Sequence, residues 1–392
     1  MKVKSVVVLL IFAVMLFSCG GQESGQDNVS IAPAVEVIDG VRHVHNFSPQ
    51  WGNTPKVGLE FVRRIGGLDE QDEDRIMSKI SDLALDMDGN IFILDTGSSR
   101  IQKFNAQGRF LRTFGGKGNG PGEFRTPVSL NINSAGRMTV GDSGLRHFIV
   151  LNADGREITR FKRKHSVQRT RLLSDNTLIS GGFNHGFGYI KDYDQGVKDG
   201  YYDLFYIVQD DGTDTRSFGE LDLYNDEETG EFYIHANVFF DVDSSGFVYS
   251  VHRYRDTIEK LDAAGNPVMV FDRPVNCDEI EFKFDYFMRM FHSKSVYSNS
   301  ISTGVAVDGK DRIWIITVIE QQKEWRKDLM TPDQRQIVKR SHAKFEIFSN
   351  EGVLLGSLPL PEDTPGIRIF DDRLFLLDPD CVSVAEYRII EK

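Results

Sequence analysis

Along most of the chain, apolar residues fall in short alternating runs separated by tight turns rich in Asp, Asn and Gly. One such pair of runs recurs six times, at Leu83–Leu94, Leu130–Val140, Arg171–Ser180, Val238–Tyr249, Val305–Ile315 and Ile367–Leu376. Period-two alternation with β-branched or aromatic residues on both arms predicts a β-hairpin at each site. Five copies are followed by a second hairpin, turning at Asn105–Gly108, Asn152–Gly155, Gln209–Gly212, Asp262–Gly265 and Ser349–Gly352. The repeating unit is therefore four antiparallel strands, A to D. One such sheet cannot bury both faces, whereas six stacked around an axis bury every inner face and leave only short edges. The pattern predicts an all-β fold, a six-bladed β-propeller. The last copy runs out after Val382–Ile390, one strand short, and Leu59–Ile65 near the start of the ordered pattern is the simplest donor of the missing outer strand. Closure by an N-terminal strand completing the last blade spares the ring an open sheet edge.

Residues 81–127, with Ile101-Gln-Lys-Phe, Gly108-Arg-Phe-Leu-Arg-Thr-Phe-Gly-Gly and Gly118-Asn-Gly-Pro-Gly-Glu-Phe124, resemble an NHL repeat. The whole chain resembles the six-bladed propeller lipoproteins of Bacteroidetes, and that resemblance implies the fold far more than any activity.

The N-terminus changes the picture of where the protein works. Lys2 and Lys4 precede an apolar run from Val6 to Phe17, and Leu16-Phe17-Ser18-Cys19 closes it. The run is shorter than the roughly 20 residues of a bilayer span and reads as a signal peptide, residues 1–18. The closing segment resembles a bacterial lipobox, which implies lipidation of Cys19. Residues 19–58 then form a lipidated tether and N-terminal extension, and 59–392 the propeller. This organisation leads to an outer-membrane lipoprotein facing the periplasm or the cell surface, attached to the membrane by its lipid alone. Cys277 and Cys381 are then the only other cysteines, and an exported protein could bridge them. With 46 Lys+Arg against 58 Asp+Glu the formal net charge is −12. No basic cluster follows the first residues, so nucleic acid is not an expected partner.

In a propeller the A–B and C–D turns share one face, while the B–C loops and D-to-A connections share the other. All A–B turns here are short. The long segments are Gly115–Pro127, Phe183–Asp203, Asp222–His235, Pro274–Ser300 and Val318–Ser341, and each is a B–C loop or a D–A connection. Loops of this length are uncommon unless functional or disordered. Their placement predicts one working face, rich in aromatic rings. Within these segments Phe284, Phe287, Met288 and Phe291 recur at helical spacing, and Glu320–Arg340 reads as two short helices.

Candidate ligand-binding residues follow from that geometry. The first residues of the A strands include Asp82, Ser129, Arg169, Arg171, Asn237 and Thr303, beside the central channel. The B–C corners add Arg100, Arg146, His147, His252, Arg253 and Arg255, and the blade-3 insertion adds His185, Tyr189 and Tyr193. Arg offers a planar donor fork for a carboxylate or sulfate, and Tyr stacks on sugars or peptide side chains. The alternative for Arg100, Arg146 and Arg255 is that they tie loops to neighbouring carbonyls. The nine histidines contain no His-x-x-x-His or His-Glu-x-x-His pair, and no nucleophile elbow, phosphate loop or dinucleotide fingerprint is present. Asp241–Gly246 imitates a calcium loop, but His252 occupies the position of the bidentate Glu, so it reads as the fourth A–B turn. No cofactor or metal is expected. The expected function is recognition of an extracellular glycan or peptide at the insertion-rich face, with an outer-membrane protein complex as a further setting. The alternative is a lyase or hydrolase at the same funnel, with histidines such as His147, His165, His235 and His252 as a source of metal ligands.

Overall fold

The computed structural model describes residues 30–67, 76–164, 167–174, 177–181, 188–189, 203–219, 222–226, 231–235, 238–274, 283–285, 295–297, 301–319, 343–362, 364, 366–378 and 382–392. All regular structure among them is β, and six of its eight sheets are arranged around an axis. The inner A strands are Ile80–Leu85, Pro127–Ile132, Arg169–Ser174, Val238–Val242, Ser302–Val307 and Gly366–Phe370, numbered here as blades 1 to 6. Each A strand touches the A strands on both sides, so the six form a closed wall. The outer D strands are Phe110–Gly115, Glu157–Lys162, Asp214–Phe218, Pro267–Phe271, Leu354–Pro359 and, for blade 6, Val57–Gly66.

That last strand runs antiparallel to Ser383–Glu391, pairing Val57 with Glu391 and Gly66 with Ser383. The ring is thus closed by the N-terminal strand, as the exhausted last repeat predicts. The turn chemistry explains why the hairpins form where they do. At the head of many of the turns an Asx carboxylate or amide accepts backbone N–H groups two and four residues on, as Asp86, Asn105, Asn133, Asn152, Asp243 and Asp262 all do. A side chain that closes its own turn fixes hairpin register before any packing occurs. Asp243 is one of these caps, so Asp241–Gly246 is the fourth A–B turn.

Between blades the contacts are apolar. Phe271 of blade 4 meets Phe348 of blade 5 with ring centroids 5.2 Å apart, and Trp314 packs edge-on to Phe345 at 5.5 Å in the interface between blades 5 and 6. Each fully buried ring of this kind contributes about 1.5–3 kcal/mol. A second device recurs at the rim, where a cation of one blade donates to a carbonyl in the next blade's C–D turn. Arg63 reaches Ala106, Arg112 reaches Ala153, Arg163 reaches Gly212 and Lys260 reaches Asn350, all within 2.9–3.1 Å. Gly155 shows why the C–D turn ends in glycine: its φ is +79°, and Phe114 of blade 1 lies where a side chain would stand.

The N-terminal extension is partly built into this ring. Ala34–Ile38 and Val41–His45 form a hairpin, and the second strand lies parallel to Pro267–Phe271, extending blade 4 to six strands. Asn46 then donates to Asp272 O and Gly352 O and accepts from Leu354 N, which staples blade 4 to blade 5. The insertions hold further strands. Gly188–Tyr189, Asp222–Asp226 and Glu231–His235 make a three-stranded sheet, and Lys283–Asp285 pairs with Ser295–Tyr297. Phe284 therefore sits in a strand opposite Val296, not on the helix its spacing predicts, because a short 3.6-residue period is a weak prior that strand pairing overrides; Phe287, Met288 and Phe291 lie outside the described residues. The helices expected at Glu320–Arg340, and Cys277 and Cys381, lie outside the described residues.

Candidate functional site

Aligning the six hairpins by strand pairing puts Ala84, Asn131, Arg171, Asp241, Ala306 and Arg368 at one level of the channel wall. Two residues earlier on the same strands stand Asp82, Ser129, Arg169, Phe239, Gly304 and Gly366. Four charges from four blades meet here. Arg171 Nε lies 3.0 Å from Asp241 Oδ1, and its Nη1 lies 3.6 Å from Asp82 Oδ2. Arg368 mirrors it, with Nε 3.3 Å from Asp82 Oδ1 and Nη1 3.8 Å from Asp241 Oδ1. The result is a ring of alternating signs across the axis, and all four side chains are buried.

Each carboxylate also ties its own blade to the next. Asp82 accepts from Leu130 N at 3.1 Å and Leu83 N at 3.0 Å, and Asp241 accepts from Val307 N at 2.9 Å. Buried ions are tolerated when they are paired and their remaining lone pairs are filled, and this girdle meets both conditions. Burial, reinforced by the neighbouring Arg171, nonetheless holds the Arg368 guanidinium below its usual pKa. On the A–B-turn side the girdle floors a cavity of about 170 Å³, collared by Leu85, Ile132, Leu172, Val242, Ile369 and Phe370. This cavity is at the end of the channel opposite the insertions.

Toward the insertion-bearing end stands Arg169. Its guanidinium lies over the ring of Phe239 at 4.9 Å from the centroid. Burial in the channel and then the like charge of Arg171 pull its pKa down to about 10, so it stays a cation at neutral pH.

Among the described candidates the structure brings Asp82 and Arg171 together and leaves Arg100, Arg146, His147, His252, Arg253 and Arg255 at the B–C corners of their blades. Arg100 Nη2 donates to Ile76 O at 2.6 Å and its Nε pairs with Asp95 at 3.3 Å, so this arginine ties a loop to backbone. Arg146 is exposed and takes a positive φ of 56° at the blade-2 corner, where its carbonyl accepts from Arg163 N at 2.7 Å. His147 Nδ1 lies 2.6 Å from Leu145 O. His252 is buried, and desolvation lowers its pKa, while the Arg253 carbonyl accepts from Ile301 N and Ser302 N to anchor the following blade. Arg255 pairs with Glu259 at 3.8 Å. Tyr189 pairs in register with Tyr233, and Tyr233 with Tyr224 on its other side. Cys19, His185, Tyr193 and Asn237 lie outside the described residues.

Sequence reasoning missed Asp241 and Arg368. Asp241 was absorbed by its resemblance to a turn, and Arg368 sits one pleat deeper than the strand starts. Stacking the six hairpins as columns is the signal that finds them, because two Arg and one Asp then interrupt a column otherwise filled by Ala and Asn. The paired roles of Asp95 and Asp142 were missed in the same way. They close the B–C corners of blades 1 and 2 by accepting backbone N–H groups from the preceding connectors, Ser78 and Lys79 for one, Arg125 and Thr126 for the other.

Comparison with known proteins agrees with this architecture. Residues 70–179 match the DUF5128 family, described as 6-bladed beta-propeller. The fold is similar to that of a DUF4221 family member from Bacteroides vulgatus, 8% identical, with TM-score 0.56 over 86% of this chain and 99% of that one. It is also similar to a candidate exported protein from Bacteroides fragilis, 13% identical, with TM-score 0.53 over 86% of this chain and 96% of that one. No curated protein matches. At these identities the likeness speaks for the fold alone. The chain is a six-bladed β-propeller, and among the described residues no helix is long and apolar enough to cross a membrane.

Proposed function

We propose that the chain is a binding protein, tethered to a membrane surface through a lipid on Cys19, that takes an extracellular glycan or peptide at the insertion-bearing end of its channel. The observation that carries this reading is the sheet formed by Gly188–Tyr189, Glu231–His235 and Asp222–Asp226. It joins the B–C insertion of blade 3 to the connection between blades 3 and 4, so two segments distant in sequence build one structure on one face. Its central rung is a row of three tyrosines, Tyr189, Tyr233 and Tyr224, in register. Tyrosine combines apolar area with a hydrogen-bonding tip at low entropic cost, which suits recognition of sugars and peptides. The A strands that begin beneath this face carry Asp82 and Arg169 into the channel.

The test is a screen of purified protein against glycan and peptide arrays, with Tyr189→Ala and Tyr233→Ala as controls. Binding that both substitutions weaken supports the reading, whereas binding indifferent to both moves the site elsewhere. For the anchor, incorporation of labelled fatty acid that Cys19→Ala abolishes is the expected result, and incorporation that survives the substitution overturns it.

A further inference from the structure

The charged residues of the channel wall come from two pairs of opposite blades. Asp82 and Asp241 stand on opposite blades, 1 and 4, and Arg171 and Arg368 on opposite blades, 3 and 6. Each aspartate takes a backbone N–H from the blade that follows its own. Two residues before Arg368, blade 6 carries Gly366. Two residues before Arg171, blade 3 carries Arg169. The extra guanidinium rests on Phe239 and has neither a hydrogen bond nor a carboxylate partner among the described residues.

Charge counting sharpens the asymmetry. Among the described residues the wall holds three guanidinium groups and two carboxylates, and both carboxylates are already shared between Arg171 and Arg368. One positive charge is left over inside the channel of a chain whose formal net charge is −12. Arginine does not escape by losing its proton at neutral pH, and an ion held half out of water without a partner is costly. An anion relieves that cost. Phosphate and sulfate carry more charge than the surplus and would meet Asp82 and Asp241 across the channel, whereas a monoanion matches it. The fork of Arg169 suits a carboxylate held by two parallel hydrogen bonds.

We propose that the channel mouth binds a single carboxylate group and that Arg169 is its partner. This deepens the reading of that mouth as a ligand site and rests on it. The carboxylate could belong to an acidic sugar or to a peptide C-terminus, and the experiment separates the two. The full-length protein is titrated calorimetrically with glucuronate, N-acetylglycine, glucose and sulfate, and thermal melts are recorded with each. One or both carboxylates bind and raise the melting temperature, sulfate is weaker, and glucose does nothing. Glucuronate alone identifies a sugar source, N-acetylglycine alone a peptide source. Arg169→Met lowers carboxylate affinity by about tenfold to a hundredfold, and Arg169→Lys retains part of it.

The ligand-free variants guard against a folding artefact. Removing an unpaired, half-buried cation leaves the melting temperature of Arg169→Met at or above that of the parent protein. A much lower value would make Arg169 a structural residue and overturn the proposal. So would carboxylate shifts equal in both proteins, or none in the parent. Should an uncharged array glycan bind in a manner dependent on Tyr189 but not Arg169, the mouth remains a ligand site and the carboxylate inference alone fails.

Discussion

The joints between blades and the channel they surround solve the same burial problem in opposite ways. Every joint is an apolar cluster, such as the one in which Phe271 of blade 4 meets Phe348 of blade 5. In the channel, equivalent positions hold Ala, Asn, Arg, Asp, Ala and Arg, so the six-fold repeat is abandoned where the strands meet the axis. Apolar contacts are non-directional and tolerate exchange, while the charged girdle depends on each partner being present. Uniform joints therefore specify a propeller, and the non-uniform channel specifies this one.

The strongest challenge to that contrast is removal of the closing strand. A chain lacking everything before Gly67 loses the outer strand of blade 6, and circular dichroism on heating is expected to show no cooperative transition, whereas a chain beginning at Ser48 keeps one at a reduced temperature. Next in size is Asp241→Ala, which leaves Arg171 and Arg368 to share Asp82 alone and orphans Val307 N. Its cost in chemical denaturation is about 3–5 kcal/mol. The double variant Asp241→Ala/Arg171→Met should recover part of this loss, and strict additivity would mean that the girdle is not a coupled unit. By contrast Phe348→Leu, in a joint, should cost less than about 1.5 kcal/mol.

Two pH effects come last. Carboxylate binding at Arg169 is expected to be flat through neutral pH and to fall as pH climbs through about 10, where burial places the guanidinium's titration. A fall beginning near neutrality would implicate another group. At the rim, the hydrogen bond to Asp272 raises the pKa of His45, assisted by Glu36. A raised folded value means that the added stability is complete below the ordinary histidine pKa of about 6.5 and fades as pH rises through the folded value. Proteolysis of the Ala34–His45 hairpin should therefore quicken on going from mildly acidic to alkaline buffer, and His45→Gln should flatten the dependence. Because the pair is half exposed, the effect is small.

The fold was legible because its signals are local. Alternation along each arm and an Asx or Gly at each turn identify the hairpins one at a time, and the missing fourth strand of the last copy identifies the closure. The extension was legible only as an extension: Val41-Arg-His-Val-His45 carries no sign that it will pair in parallel with residues more than two hundred positions away. Asp82 and Arg171 were found because they open strands at the axis, but the bond between them and the identity of Asp241 and Arg368 as their partners depend on how six strands converge. Convergence is a property of the ring, so no single repeat records it.

The pairing of Val57–Gly66 with Ser383–Glu391 also sets the order of events in biosynthesis. The earliest propeller strand to leave the ribosome has its ladder partner more than three hundred residues later, so the circle is sealed only once all the intervening blades have been made. Until then the nascent polypeptide stays open and threadable, with its most separated contacts forming last.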